Sequence, residues 1–405
     1  MNPTVFSLKS KLTVMLAGLL LMASPLAAQD SKAILDALVR KGVLSSDEAD
    51  AIKEEAKSSA PVFAVGGKKV SKLSLGARIQ MQYAGLSTDI DGTNNDPAST
   101  NHFFLRRVYL TTKASLGPDW SMNITYDPAN QAFDKALISY GGSDLDIDIG
   151  LRKVGFGLEE TTSSSKLKAI ERSGVTRYFV ESNNGRRLGA GSYRVGVFAE
   201  GKSGNFVYGG AITNPERVGD PTSGGNSGNN NMAYWANAGF EGDLADGSFA
   251  FGAALGILPD QGGKTVGAGD DMTAYSIYGD VTTGNFHLMA EYMSAKVDNG
   301  ASATMDATPS GYWVQGAFKF NKSFEGVARF SYLDTDGRGV KLSDGVRSAP
   351  AGNTNDKLTE YFVGGSWYII GNDLKFQAGY VYGKSEDGAA SATTSGIRSQ
   401  MQINF

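Results

Sequence analysis

At 405 residues the chain is long enough for two or three ordinary globular domains, but 52 Gly and 37 Tyr plus Phe suit a β-rich surface protein. The absence of Cys excludes disulfides, thiolate metal sites, a Cys nucleophile and lipid attachment through Cys. Two His (His102, His287) argue against a His-rich centre, so no cofactor or metal is expected. A formal net charge of −4 leaves no bulk basic charge for nucleic acid.

Residues 1–28 read as an export signal. Lys9 and Lys11 precede an apolar stretch from Leu12 to Met22, too short to span a bilayer, and small residues then place cleavage after Ala28. Removing the two Lys leaves 36 bases against 42 acids, a net of −6. Residues 29–60 read as a periplasmic helical segment. Ile34, Leu35, Leu38 and Val39 recur at helical spacing, Gly42 stops the helix, and Ser45 with Glu48 makes a capping box for a second one. Each helix is too short to stand alone in water and must pack on something, whether itself, a second copy or the remainder of the chain. The third division, 61–405, begins with a linker running to residue 70.

From Ser71 the period changes to two. Leu73, Leu75, Ala77, Ile79, Met81 and Tyr83 fall on one face; Ser74, Gly76, Arg78, Gln80 and Gln82 fall on the other. Sixteen strands are expected from this pattern: 72–85, 103–115, 120–127, 134–141, 145–154, 186–199, 205–214, 232–243, 248–258, 272–283, 285–297, 310–321, 324–335, 357–370, 374–384 and 395–405. Their connections alternate between tight turns, such as Gly117-Pro118-Asp119 and Gly371–Asp373, and longer polar loops, such as Pro215–Asn231 and Gly337–Asp356. Short turns at one end and long loops at the other mark an outer-membrane barrel, which must close because lipid tolerates no open sheet edge. Aromatics gather at strand ends as a girdle requires (Phe103, Phe104, Trp120, Tyr126, Tyr140, Trp367, Tyr368, Tyr382). The last strand places Ile397, Ser399, Met401, Ile403 and Phe405 on one face. The expected fold is therefore all-β: a 16-stranded antiparallel transmembrane β-barrel, with outer-membrane lipids against its apolar face.

If the apolar face is outside, alternation turns Arg78, Arg107, Lys113, Arg152, Arg194, Lys319, Arg329, Lys375 and Arg398 inward. Asp146, Asp148, Glu241, Asp280, Glu291 and Glu325 turn inward with them, most of these acids lying beside short turns. Arg78, Arg194 and Arg329 read as mid-strand. Arg106 and Arg107 are adjacent, and Val108 with Leu110 marks the lipid face. Arg107 therefore points inward, and Arg106 needs a bulge or a place at the rim. Guanidinium groups in a narrow bore attract anions and form bidentate bonds with phosphate oxygens. The same bases could instead pair with bore acids and simply keep the bore hydrated.

The longest segment that reads as neither strand nor turn is 151–189. Between 155 and 185 it carries four bases (Lys166, Lys168, Arg172, Arg177) and four acids (Glu159, Glu160, Glu171, Glu181). GFGLEETTSSSKLKAIERS (155–173) and NNGRRLGAG (183–191) resemble the phosphate-selective porin O and P family. So do GARIQMQY (76–83), FFLRRVYL (103–110), DWSMNITYD (119–127), ARFSYLDTDGRGV (328–340) and SWYIIGNDLKFQAGYVYG (366–383). The resemblance implies a homotrimeric porin of the Gram-negative outer membrane, with an arginine ladder and a third outer loop folded inward. It matches Arg78, Arg106 and Arg107 to the ladder, and Lys166 and Arg172 to the constriction loop. The outer loops here are rich in Gly, Asn, Ser and Asp rather than Lys.

Together these readings place an anion pathway on Arg78, Arg106, Arg107, Arg152, Lys166, Lys168, Arg172, Arg177, Arg194 and Arg329. The expected function is a water-filled diffusion channel for small anions such as phosphate. The alternatives are a general small-solute porin without anion selectivity and a structural or adhesive outer-membrane barrel. An enzyme is not expected, because neither His has an evident nucleophile or base beside it in sequence.

Overall fold

The computed structural model describes residues 64–65, 68–70, 72–142, 144–215, 231–265, 269–388 and 390–405. The expected export signal and helical segment lie outside the described residues, as does most of Pro215–Asn231. The chain divides into two units at Lys69/Val70. In the first, Ala64–Val65 pairs antiparallel with Lys68–Lys69.

The second unit is one closed antiparallel barrel. Its sixteen spanning strands are β1 (Lys72–Ile90), β2 (Thr100–Leu116), β3 (Trp120–Asp127), β4 (Ala132–Gly141), β5 (Leu145–Lys153), β6 (Tyr193–Ser203), β7 (Phe206–Thr213) and β8 (Ala233–Leu244), then β9 (Gly247–Leu258), β10 (Met272–Thr283), β11 (Phe286–Ser302), β12 (Ser310–Lys319), β13 (Phe324–Asp334), β14 (Lys357–Ile370), β15 (Leu374–Asp387) and β16 (Ala390–Asn404). A three-residue strand, Met305–Ala307, pairs with the far end of β11. β16 closes the barrel against β1, from Ala392↔Ile90 to Asn404↔Arg78.

Alternation sorts the faces as the sequence pattern requires. On β1, Gln80, Gln82 and Ala84 are buried toward the interior, while Leu75 and Ile79 are exposed on the outer face. Outward aromatics pair across strands near the short-turn end, including Trp120 with Tyr140 and Phe324 with Trp367. Two of the girdle residues read from the sequence differ. Tyr368 turns inward and donates its hydroxyl hydrogen to Glu325, and Phe104 pairs with the inward Gln82.

Strand six is the largest departure. It begins at Tyr193, not at 186, because residues 186–192 belong to the preceding segment. There Leu188 N–H donates to Tyr178 O at 2.9 Å and Ala190 N–H to Phe179 O at 2.7 Å, and Gly185 and Gly189 take positive φ that a regular strand cannot use. Arg194 is therefore the second residue of its strand rather than mid-strand.

Part of the interior toward the long-loop end is an apolar cluster. Val175, Tyr178, Phe179, Val180 and Leu188 from the segment after β5 pack with Leu333, Leu342, Val346 and Leu358. Burying each such aliphatic or aromatic side chain contributes roughly 1.5–3 kcal/mol. The residues of Gly337–Asp356, expected to be a polar outer loop, thus help fill the bore.

Sterics fix glycine at several strand positions, Gly150 among them. Gly150 on β5 has φ +129°, and a Cβ there would sit 2.1 Å from the Ala136 carbonyl oxygen on β4. Gly150→Ala should destabilise the barrel by about 1–3 kcal/mol. A lower urea midpoint for the folded band on unboiled gels checks this, and an unchanged midpoint would contradict it.

Candidate functional site: the interior segment and the cavity beside it

The segment between β5 and β6 contains two short helices, α1 (Leu158–Thr161) and α2 (Gly174–Val180). Ser173 caps α2 by accepting from Thr176 N–H at 3.1 Å. Inward side chains of many strands hold this segment. Glu291 of β11 accepts from Leu158 N–H at 2.8 Å, and Glu360 of β14 accepts from Gly174 N–H at 2.6 Å. Gln80 of β1 donates to Ser164 O at 3.0 Å, Lys375 of β15 to Leu167 O at 3.1 Å and Gln377 to Lys168 O at 2.9 Å. Glu291, one of the acids expected to face inward, is deeply buried and serves as one of these anchors.

The ten bases singled out in the sequence separate into two groups. Six are paired with carboxylates. Arg106 binds Glu171 at 2.6 and 3.2 Å, Lys168 binds Glu325 at 2.6 Å, and Arg172 binds Glu160 at 2.9 Å. Arg177 binds Glu181 at 3.0 Å, Arg152 binds Glu200 at 2.6 Å and also Asp148, and Arg329 lies between Glu159 at 2.6 Å and Glu360 at 3.0 Å. Arg329 and both of its carboxylates are buried, and their remaining oxygens are used: Glu159 also accepts from Ser173 N–H at 2.7 Å and Thr176 Oγ1 at 2.9 Å.

The other four are held differently. Arg78 donates to Ser164 Oγ at 2.8 Å and Asn404 Oδ1 at 3.0 Å, with its guanidinium 5.5 Å from the centre of the Tyr109 ring. Arg107 donates to Gln80 Oε1 at 2.8 Å. Arg194 donates to Gly189 O at 2.5 Å and faces the Trp235 ring. Lys166 is exposed.

A cavity of about 620 Å³ runs beside the segment along β1–β4, the end of β5 and the start of β6. Its lining extends from Ser74, Lys113 and Phe405 near the short-turn end to Asp127 and Asn130 at the turn between β3 and β4, level with Val108 in the middle of β2. Of the ten bases, Arg78, Arg106, Arg107 and Arg172 line it; Arg152, Lys166, Lys168, Arg177, Arg194 and Arg329 do not. Counting Lys113, Lys135 and Lys153, seven bases meet four acids (Asp127, Asp134, Glu160, Glu181) on its walls. Lys153, Tyr109, Tyr193 and Asp134 escaped the sequence reading, although alternation already places Tyr109 on the same face as Arg107.

Two β-bulges supply charges that alternation alone would send to the lipid. Gln80 opposes Arg107 and Met81 opposes Leu105, so Arg106 is the extra residue on β2 and reaches the interior. Thr125 opposes Lys135 and Tyr126 opposes Phe133, so Asp134 is the extra residue on β4.

At the long-loop end, the segment is tied to a third helix, α3 (Leu342–Gly345), and to the chain around it. Arg186 binds Asp344 at 2.6 Å, and Arg347 bridges Glu171 (3.1 Å) and Glu181. Burial alone would raise the Glu171 carboxyl, but Arg106 and Arg347 outweigh it and hold the group well below the usual carboxylate range. Glu181 is depressed likewise, with Arg177 and Arg347 overcoming burial. A depressed acid stabilises fully above its ordinary value, 4.5, and loses that contribution as pH falls through the lowered value. Hydrogen-exchange protection of 171–181 should therefore stay constant from about pH 8 to pH 5 and fall only below about pH 4. A loss of protection between pH 7 and pH 5 would contradict this.

No curated protein sequence matches the chain. Solved structures match the fold at low identity. An anion-selective porin from Comamonas acidovorans is 11% identical, with a TM-score of 0.54 over 82% of this chain and 99% of that one. The outer membrane channel DcaP of Acinetobacter baumannii is 12% identical, with a TM-score of 0.54 over 85% and 99%. Salmonella typhi OmpF, solved with daunomycin, is 12% identical, with a TM-score of 0.53 over 84% and 98%. The family model described as phosphate-selective porin O and P matches residues 74–405, all but the first two residues of the barrel, and the chain belongs to that family of bacterial outer-membrane porins.

Proposed function

We propose that the chain is a passive, water-filled diffusion channel that favours small anions, phosphate among them, and that the segment between β5 and β6 is its inward-folded third outer loop. The observation that carries this reading is the placement of Arg78 and Arg107 on the cavity wall, each held by neutral partners rather than by a carboxylate. Their hydrogen-bonding capacity and charge are available to an anion in a bore of lowered dielectric. The excess of bases over acids along the cavity supports the same sign. Arg106 and Arg172 also face the passage, but Glu171 and Glu160 offset their charge. Lys168, Arg177 and Arg329 act in this reading as anchors of the loop, and Arg152 and Arg194 as wall supports. The exported precursor, its periplasmic helical segment and a homotrimeric assembly belong to the same reading.

The chemistry required is that of a channel rather than an enzyme. His287 Nε2 lies 2.7 Å from Asp280 Oδ1 across a short turn, and its place at the mouth suits a structural pair. Proteoliposomes test the proposal. Swelling should be faster with potassium phosphate or potassium acetate as the limiting anion than with a cation of equal size as the limiting ion. No swelling would overturn the channel, and equal rates would overturn the preference.

A further inference from the structure

The stretch Gly337-Arg338-Gly339 lines no part of the passage, yet it carries a fully buried cation. Gly337 and Gly339 take φ of +78° and +86°, turning the backbone on both sides of Arg338 in a way that favours glycine. Arg338 Nε donates to Arg186 O at 2.8 Å. Its terminal nitrogens donate to Gly263 O, to Gly300 O at 3.3 Å and to Asn183 Oδ1 at 3.4 Å. One guanidinium therefore joins the end of the β5–β6 segment, the β9–β10 connection, the far end of β11 and its own β13–β14 connection. Lys264 reinforces the junction by donating to Gly337 O at 3.3 Å and to Arg338 O.

Two features set this junction apart from the buried triad at Arg329. Among the described residues Arg338 pairs with no carboxylate; its partners are carbonyl oxygens. The Tyr178 hydroxyl, within electrostatic reach of Arg338, is buried with no hydrogen-bond partner among the described residues. A buried cation is ordinarily paired and a buried hydroxyl ordinarily bonded, so both departures weaken the closed arrangement. Carbonyls released from Arg338 can turn to water and leave no orphaned charge behind, whereas a carboxylate latch would. Tyr178 belongs to α2, which packs against β11–β14 on the side of the bore away from the β1–β4 cavity. We infer that Arg338 is a releasable clasp that sets the size limit of the channel. While it is bound, solutes are confined to the passage along β1–β4. When it lets go, the end of the β5–β6 segment parts from the outer connections and larger solutes enter. This role rests on the channel reading proposed above.

Two substitutions should act in opposite directions. The amides of Leu188 and Ala190, bonded to Tyr178 O and Phe179 O, report the separation by hydrogen exchange. Arg338→Met should speed their exchange about tenfold, the scale of one lost hydrogen bond to a charged group. Tyr178→Phe removes the unbonded hydroxyl and should slow it about threefold. In proteoliposome swelling, Arg338→Met should raise raffinose entry relative to arabinose several-fold while the protein still runs as the folded form on unboiled gels. Arg338→Lys, which keeps the charge but not the planar fork, should fall between. An unchanged raffinose-to-arabinose ratio in Arg338→Met, or faster exchange in Tyr178→Phe, overturns the inference. Either result with arabinose still entering leaves the channel reading standing; no arabinose entry by the unaltered protein overturns that reading and the size limit with it.

Discussion

Replacing Arg78 and Arg107 together with Gln lowers the chloride-to-potassium permeability ratio by about tenfold. A unit charge about 5 Å from the ion path contributes about 0.8 kcal/mol in a water-filled bore, and salt screening at a Debye length of about 8 Å cuts this to roughly 0.4 kcal/mol. Two such charges lost, each acting with opposite sign on anion and cation, give a change of that order. Gln keeps the side chain polar and of similar length, so the wall and its bonds to Ser164, Asn404 and Gln80 are disturbed least. The comparison is Arg152→Gln with Lys168→Gln, which removes the same formal charge away from the cavity wall. Its effect on the ratio should be several-fold smaller. Reversal potentials of the two double variants check this, and equal shifts would mean that the ion path lies elsewhere.

The second large effect is expected at Arg329, and in conductance rather than selectivity. Arg329→Met leaves Glu159 and Glu360 buried without their shared cation. Removing one partner of a buried ion pair costs about 3–5 kcal/mol. The barrel ladder does not depend on this group, since β13 remains paired to β12 and β14 through the backbone. The strain is relieved by releasing the loop from the wall. Single-channel conductance and open-channel noise should therefore rise, while the protein still runs as the folded form on unboiled gels. Adding Glu159→Gln and Glu360→Gln removes the orphaned charges and should restore quiet openings. Unchanged conductance in Arg329→Met would show that the loop is held without this triad.

The barrel was legible because its physics is repetitive. A period of two with an apolar outer face recurs in every strand, and most expected strand bounds fall within a few residues of those observed. Where the regularity breaks, the sequence carries less. Strand six was expected from residue 186, yet it begins at Tyr193, and Leu188, Gly189 and Ala190 bond back to α2 and its C-terminal cap. Arg106 could be flagged only as a conflict between neighbours, resolved by a bulge; Asp134 stands in the same conflict with Lys135, but as the first residue of its expected strand it could be passed over as a rim charge. Ion pairing was also hidden. Glu360 and Arg347, which neutralise Arg329 and bind Glu171 and Glu181, lie far from their partners in the chain. The sequence marks Gly337–Asp356 as polar punctuation, but Leu342, Val346 and Ala349 bury there against the loop. These pairings are tertiary, and local pattern does not encode them.

The zero-current potential of single channels in planar bilayers under a tenfold potassium chloride gradient tests the central claim most directly. With Arg78 and Arg107 facing the passage, the potential should lie toward the equilibrium potential of chloride. A potential toward that of potassium would contradict the account.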